Sequence, residues 1–244
     1  MNEIYKHKLE ILRQRIPIGL RHGLTLLEEV EGDLEKAEKH FVEEMVVLTI
    51  SKTGVTSDAA IRYLTKSNFD IGLTIKRIDE ERYTLTELII RKYKDKKEEA
   101  LDKVYLTIEE KYNLERDFWL NFGYLKNLPS EIYCFVAIME WLNFEEREGY
   151  QNALSFNLDI VVQQIDKKLD LSELMHSLKK AENILVLVYE EYDAKKSYKN
   201  YSRATHDLRN NKGFQEVENG FKEQKQILIN RLYEFVQNNV DKFP

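Results

Sequence analysis

The sequence contains few of the residues that make tight turns or rigid frameworks. Its 244 residues, enough for one or two domains, include only 9 glycines, 3 prolines and one cysteine, Cys134. β-Sandwiches, barrels and dinucleotide-binding folds need turn residues at short intervals, so this scarcity predicts long helices. A single cysteine excludes a disulfide framework and a cysteine-rich zinc site. Neither G-x-G-x-x-G nor G-x-x-x-x-G-K-S/T occurs, which excludes the common phosphate-loop enzymes.

Long apolar runs are also missing. The longest ones, such as residues 135–139 and 184–189, are far shorter than the roughly 18 residues that span a bilayer. The amino-terminal string MNEIYKHKLEILRQR is charged throughout and lacks the apolar core of a signal peptide. We therefore expect a soluble cytoplasmic protein without a membrane partner. The net charge of −6 confines any nucleic-acid contact to a local patch.

A weak repeat is present in the first eighty residues. Gly32-Asp33 precedes the helical pattern LEKAEKHF, and Phe69-Asp70 precedes IGLTIKRI, which gives an offset of 70 − 33 = 37 residues. At this offset apolar positions coincide without a gap, pairing Leu24 with Ile61, Leu27 with Leu64, Leu34 with Ile71 and Phe41 with Ile78. Each copy predicts a hairpin of two short helices, because Gly32 can make a turn in the first copy and Asp33 or Asp70 can cap the next helix.

These patterns predict an all-α fold. We expect two tandem three-helix units, residues 1–46 and 47–82, followed by a larger helical bundle domain over residues 83–244. The third region has longer amphipathic stretches, with aromatic stripes that are typical of a core.

The string LRQRIPIGLRHGLTLLEEVEGDLEKA resembles the N-terminal ubiquitin-associated (UBA)-like domain of elongation factor Ts. The string KTGVTSDAAIRYLTKSNFDIGLTI resembles the same domain, so the two together cover about a third of the chain. In that family the domain docks on the GTP-binding domain of elongation factor Tu. The resemblance therefore implies a protein partner, with a translation GTPase as its class. The Thr-Asp-Phe-Val segment of elongation factor Ts has no equivalent here, so nucleotide exchange is not implied.

A docking loop follows from the same resemblance. Where UBA-like domains bind ubiquitin, they use a hydrophobic-Gly-hydrophobic loop, and Ile18, Gly19 and Leu20 stand at that place in the first copy. The resemblance implies that Ile18 and Leu20 enter a groove on the partner. A buried connection between two helices is the alternative reading. The second copy has Val55-Thr56-Ser57 there and departs from the pattern.

A second candidate site is the basic segment of residues 194–213, which could bind an anion. Its strongest candidates are Lys195, Lys196, Lys199 and Arg203. Tyr198 and Tyr201 are interleaved with these cations, and stacking combined with positive charge suits a local RNA or phosphate contact. A solvated loop is the alternative.

No residue pattern predicts catalysis. Glu173 and His176 form the one E-x-x-H string, whereas a di-iron bundle needs two. The other histidines lack zinc-motif spacing, and no nucleophile-elbow string is present. The sequence thus predicts no metal, no cofactor and no enzyme. Its main prediction is a protein-interaction protein linked to translation, and its alternative is a local RNA- or phosphate-binding helical protein.

Overall fold

The computed structural model describes residues 5–244, and this part of the chain is all-α, as predicted. It contains fourteen α-helices and no β-strand. The chain divides into two compact units, the first ending at Tyr83 and the second running from Thr84 to Pro244. The first unit contains α1 (Lys6–Arg15), α2 (Leu20–Glu29), α3 (Leu34–Thr53), α4 (Ser57–Lys66) and α5 (Ile71–Arg82).

The second unit contains nine of these helices and one short 3₁₀ turn within the described residues. They are α6 (Leu85–Lys92), α7 (Lys97–Tyr112), α8 (Phe122–Leu125), α9 (Ser130–Glu148), α10 (Tyr150–Ala153), α11 (Leu158–Leu169), α12 (Ser172–Glu191), α13 (Tyr198–Asn210) and α14 (Lys212–Asn238), followed by the 3₁₀ turn Val240–Lys242.

The long helix α3 is shared by two small bundles in the first unit. Bundle A consists of α1, α2 and the amino-terminal half of α3, and its core includes Leu12, Leu27 and Phe41. Bundle B consists of the carboxy-terminal half of α3 with α4 and α5, and its core includes Val46 and Leu64. The predicted boundary between residues 46 and 47 falls inside α3, so a continuous helix lies where a division was expected.

The backbones of the two bundles follow the same course at an offset of 37 residues. Helix α2 occupies residues 20–29 and α4 residues 57–66, while α3 starts at residue 34 and α5 at residue 71. Both connecting turns close with the same type of hydrogen bond, from the Gly32 amide to the Leu27 carbonyl (2.7 Å) and from the Phe69 amide to the Leu64 carbonyl (2.8 Å).

Aspartate caps the helix after each of these turns. The Asp33 carboxylate accepts hydrogen bonds from the Glu35 and Lys36 amides, and the Asp70 carboxylate accepts one from the Leu73 amide. Amides in the first helical turn have no partner within the helix, so a carboxylate at this place both pairs them and meets the positive helix end. The predicted caps are confirmed.

The turn itself requires a left-handed backbone in both bundles. Gly32 has φ +81° and Phe69 has φ +58°. Glycine reaches this region without strain, whereas phenylalanine does not. Phe69 is compensated by packing, because its ring lies 5.7 Å from that of Phe41. At Gly32 a Cβ would lie 2.7 Å from the Tyr5 ring, so the small residue also leaves room there.

Helix α9 lies at the centre of the second unit. Its residues from Ile132 to Leu142 are almost all buried, and the Trp141 indole donates a hydrogen bond to the Ala153 carbonyl (2.9 Å). Because a helix that is apolar all round must be covered on every side, the neighbouring helices enclose it. The end of the chain joins this core, with Phe243 packed edge-on to Phe135.

Two local expectations for the second unit need correction. The mixed-sign charges of residues 92–103 predict a single solvated helix face, but the run is not one helix, because α6 ends at Lys92 and α7 begins only at Lys97. The basic segment is not a loop either, since residues 198–210 form α13, which Ser197 caps.

Candidate functional site

The predicted docking loop is buried at its first residue. Ile18 is only 4% exposed and belongs to the core of bundle A together with Ile16. The Arg13 guanidinium donates a hydrogen bond to the Ile18 carbonyl (3.3 Å), which fixes this connection between α1 and α2. The expectation that Ile18 enters a partner's groove is therefore wrong. Its side chain is already used inside the folded unit.

Gly19 and Leu20 face the solvent. Gly19 has an ordinary extended backbone (φ −71°, ψ 153°), and no atom lies within 4 Å of a Cβ added there. Nothing within the described chain therefore requires glycine at this position. Leu20, the first residue of α2, leaves 58% of its surface exposed. Of the three predicted residues, Leu20 alone offers an apolar side chain to a partner.

All four predicted cationic residues of the basic segment are exposed. Lys195 and Lys196 precede α13, and Lys196 forms an ion pair with Asp193 (3.6 Å). Lys199 and Arg203 lie one turn apart on α13, on the side opposite the buried residues of that helix. The helix thus presents a cationic stripe to the solvent.

The two tyrosines of this segment differ in their surroundings. Tyr198 is 85% exposed, whereas the Tyr201 ring packs edge-on against Tyr189, with ring centroids 5.7 Å apart. Asp207, on the same helix, accepts a hydrogen bond from the Tyr192 hydroxyl, which raises the pKa of Tyr192. Tyr198 is therefore the ring that remains available for stacking on a base.

The candidate metal ligands of the sequence do not come together in the fold. The His176 ring lies against the Ser172 carbonyl (2.6 Å) on an exposed part of α12. Among residues 5–244, no three His, Cys, Asp or Glu side chains are close enough together to hold a metal ion. In the same part of the chain, no helix combines the length and the apolar content needed to cross a membrane.

Cys134 behaves as an inert core residue. It lies in α9 and is fully buried, and burial raises the pKa of its thiol to about 12. The nucleophilic form of cysteine is the thiolate, so this side chain stays unreactive at neutral pH while the second unit is folded.

A buried carboxylate, which the sequence analysis missed, organises one side of the second unit. Glu140 on α9 is completely buried. It accepts hydrogen bonds from the Tyr105 hydroxyl, from the Arg116 guanidinium and from the Leu120 amide (2.6 Å). Arg116 is also paired with Glu109 on α7. A buried charge is tolerated only when it is paired and hydrogen-bonded, and these donors meet both conditions.

This Glu140 network, formed by Glu140, Tyr105, Arg116, Glu109 and the Leu120 amide, fixes the loop of residues 113–121. Burial and then the nearby Glu140 charge raise the pKa of Tyr105, so its hydroxyl remains a proton donor. The Arg116 and Leu120 backbones also form an isolated antiparallel bridge. The loop is consequently tied to α7 and α9. One signal was present in the sequence: Glu140 interrupts an otherwise apolar run, FVAIMEWL.

Comparisons with known proteins match both units. The family model described as the YfbN C-terminal domain covers residues 84–241, starting where the second unit starts. Over 233 residues the chain is 33% identical to "Uncharacterized protein YfbN" of Escherichia coli (strain K12), which spans 96% of this chain and 93% of that protein. No solved structure matches the chain. The chain therefore belongs to the family that carries the YfbN C-terminal domain.

Proposed function

We propose that this chain is a non-catalytic protein-interaction protein whose first unit docks on a protein partner. The observation that carries the proposal is the exposure of Leu20 on a connection that Ile16, Ile18 and Arg13 hold in place. A fixed connection loses little conformational freedom on binding, so more of the gain from burying Leu20 remains as affinity. Complete burial of a leucine contributes about 2 kcal/mol.

The partner class comes from the resemblance to elongation factor Ts. We propose that bundles A and B are two copies of a UBA-like three-helix unit and that the partner is a translation GTPase. The shared offset of 37 residues in helix bounds, turn hydrogen bonds and aspartate caps supports the idea of two copies. The proposed site lies in bundle A, since bundle B has the polar Thr56 and Ser57 where bundle A has Gly19 and Leu20.

The Leu20→Asp substitution tests this proposal. Calorimetric titration of the full chain with GDP-bound elongation factor Tu from the same organism measures the affinity directly. We expect Leu20→Asp to weaken binding at least about tenfold, because a charge enters the apolar contact.

Leu73→Asp on α5 is the matched control, because Leu73 is also exposed (39%) but lies outside the proposed site. It should bind like the unmodified chain. If both substitutions weakened binding equally, Leu20 would not be part of the binding site. If the unmodified chain did not bind elongation factor Tu, the proposed partner class would be wrong.

The exposed stripe of α13 favours a second candidate function, local binding of RNA or another phosphate-bearing ligand. Lys199 and Arg203 point the same way one turn apart, and the Tyr198 ring is free for stacking. Such binding weakens with salt, because each neutralised phosphate releases counterions.

Charge reversal tests this candidate. A twelve-nucleotide single-stranded RNA serves as the probe, and the variant carries Lys199→Glu with Arg203→Glu. We expect a lower affinity and a smaller dependence on salt concentration. Lys167→Glu with Lys180→Glu changes the net charge by the same amount on other exposed positions and should have little effect. Identical losses in the two variants would point to net charge rather than to α13.

A further inference from the structure

An acidic cleft with aromatic walls opens beside the Glu140 network. It has a volume of about 710 Å³ and lies between the end of α7, the loop of residues 113–121 and α8. Its walls include Tyr112, Trp119 and Tyr124, together with Glu115 and Asp117. A cleft of this size accommodates one or two large side chains of a ligand.

The aromatic residues here are unusually exposed. Tyr124, in the cleft wall, leaves 75% of its surface in solvent, and Phe118, which lies between the wall residues Asp117 and Trp119 in the chain, leaves 87%. Neither ring contacts another aromatic ring in residues 5–244. Trp119, between them in sequence, is instead anchored against Phe144, with ring centroids 4.8 Å apart. Tyrosine, tryptophan and phenylalanine are enriched in interfaces, so adjacent exposed aromatics at a cleft indicate a binding surface.

The uncompensated charges among the residues that line the cleft are negative, although Arg147, which does not line it, lies over the Trp119 ring (5.7 Å to the centroid). Arg116 is the one cationic residue among those that line it, and Glu109 and Glu140 already pair with that guanidinium. Glu115 and Asp117 are exposed, and neither forms an ion pair with any residue of the described part of the chain. Two carboxylates are therefore available to a ligand, whereas the one positive charge is compensated.

The cleft is also held in one shape. Its loop is tied to α9 through the bond from the Leu120 amide to Glu140, and the Asn121 side chain caps α8 by accepting from the Gly123 amide (2.8 Å). At the other end, Asn113 closes α7 with a left-handed backbone. A site that is ordered before binding loses less entropy when the ligand enters.

We propose that this cleft binds an extended cationic peptide segment of a partner protein. An arginine or lysine side chain of the peptide lies over the Tyr124 ring and pairs with Glu115 or Asp117. Apolar atoms of the peptide cover Phe118. Cations are attracted to the faces of aromatic rings, and carboxylates beside the ring strengthen this preference, whereas the same carboxylates repel phosphate and nucleic acid. This site does not depend on the proposed docking through Leu20.

Binding of a nonapeptide of alternating arginine and glycine tests the proposal. The peptide carries fluorescein, the full chain is titrated, and fluorescence anisotropy reports binding. We expect Glu115→Lys with Asp117→Lys to weaken binding about tenfold, and Tyr124→Ala to weaken it about fivefold. These side chains are exposed, so circular dichroism should show unchanged helix content in both variants.

The matched control is Glu216→Lys with Glu223→Lys, which makes the same charge change on exposed positions of α14 outside the cleft. It should retain the affinity of the unmodified chain. Equal losses in control and cleft variants, equal binding of the glutamate-glycine nonapeptide, or no binding at all would overturn the proposal. Self-association of the chain in sedimentation experiments would also overturn it, if that association were abolished both by Glu115→Lys with Asp117→Lys and by Lys199→Glu with Arg203→Glu. The occupant would then be a second copy of this chain.

Discussion

The two units of this chain build their interiors on different scales. The first unit divides a few buried side chains between two small cores on either half of α3. The second unit has one large core around α9, to which most of its helices contribute. Small cores bury a smaller fraction of the chain and leave a thinner margin of stability. Turn residues and helix caps consequently matter more in the first unit.

The buried polar groups of the two units also differ, and the larger core contains the more polar ones. The buried polar residues of the first unit are neutral, such as Thr49 and Thr74, whose hydroxyls donate to the backbone carbonyls four residues earlier. In the part of the chain that the structure describes, Glu140 in the second unit is the one buried charged residue. A charge needs several fixed donors around it, and only the larger core supplies them.

Truncating Phe41 should have the largest effect. The Phe41→Ala substitution removes the largest buried side chain from the core of bundle A, and we expect the first unit to lose about 4 kcal/mol of stability and to unfold. Both tryptophans, Trp119 and Trp141, lie in the second unit. Urea unfolding followed by circular dichroism reports both units, whereas tryptophan fluorescence reports the second alone.

The helix signal of Phe41→Ala should therefore begin to fall at low urea, while the fluorescence transition stays where it is in the unmodified chain. If the two signals instead shifted together, the two units would unfold as one, and the first unit would not have a smaller stability of its own.

Removing the buried carboxylate should be nearly as costly, but in the second unit. The Glu140→Ala substitution removes the buried acceptor that Tyr105, Arg116 and the Leu120 amide share, and we expect a loss of about 3 kcal/mol in the free energy of unfolding measured by tryptophan fluorescence. Glu109→Ala removes a partly exposed partner of the same guanidinium and should cost about 1 kcal/mol or less. Similar losses of unfolding free energy for both substitutions would mean that the burial of Glu140 does not increase its contribution to stability.

Gly→Ala substitutions should have opposite signs in the two units. Gly32→Ala forces a side chain into a left-handed backbone and should destabilise the first unit by about 1–2 kcal/mol. Gly220 lies inside α14 with open space around it, so Gly220→Ala should stabilise the second unit by about 0.5–1 kcal/mol. Thermal unfolding measures both changes. A stabilising Gly32→Ala would show that this turn does not need glycine.

The smallest expected effect is a pH dependence from the cap at Asp33. Hydrogen bonds from the Lys36 amide and other nearby donors lower the pKa of Asp33 below its ordinary value of 3.8. The folded pKa is thus below the unfolded one, so this carboxylate contributes stability above the unfolded pKa and loses it as the pH falls through the folded value.

Asn caps helices without a charge. The difference in melting temperature between the unmodified chain and Asp33→Asn should therefore shrink as the pH falls from 5 to below about 3. If the difference in melting temperature stayed constant with pH, the charge of Asp33 would not contribute to the stability of the first unit.

The local features of the first unit were predictable because they depend on neighbouring residues. The Asp33 and Asp70 caps, the offset of 37 residues and the division near residue 83 follow from turn chemistry and apolar spacing. In the second unit the all-α prediction is confirmed, and Thr84 forms a capping box with Glu87 at the start of α6. The break after Lys92 was missed, because high charge alone does not distinguish a helix from a turn.

The candidate sites were less predictable. Ile18 and Leu20 are both aliphatic and two residues apart, yet one lies in the core and the other in solvent. Their exposure depends on how α1, α2 and α3 pack together, and the spacing of apolar residues along the sequence does not determine that packing. The donors to Glu140 come from Tyr105, Arg116 and Leu120, which are far apart in the sequence. Nothing local to any one of them indicates the others.

The sequence by itself determined that this chain forms helices, where α3 and α5 begin, and that a turn ending in aspartate occurs twice. Such properties arise from backbone conformation and from hydrogen bonds between residues a few positions apart. The tertiary structure decided that α3 serves two bundles, that Ile18 is hidden while Leu20 is exposed, and that a buried glutamate fixes an acidic cleft. Those outcomes depend on which surfaces meet across long separations in the chain, and burial and charge pairing are properties of the assembled fold.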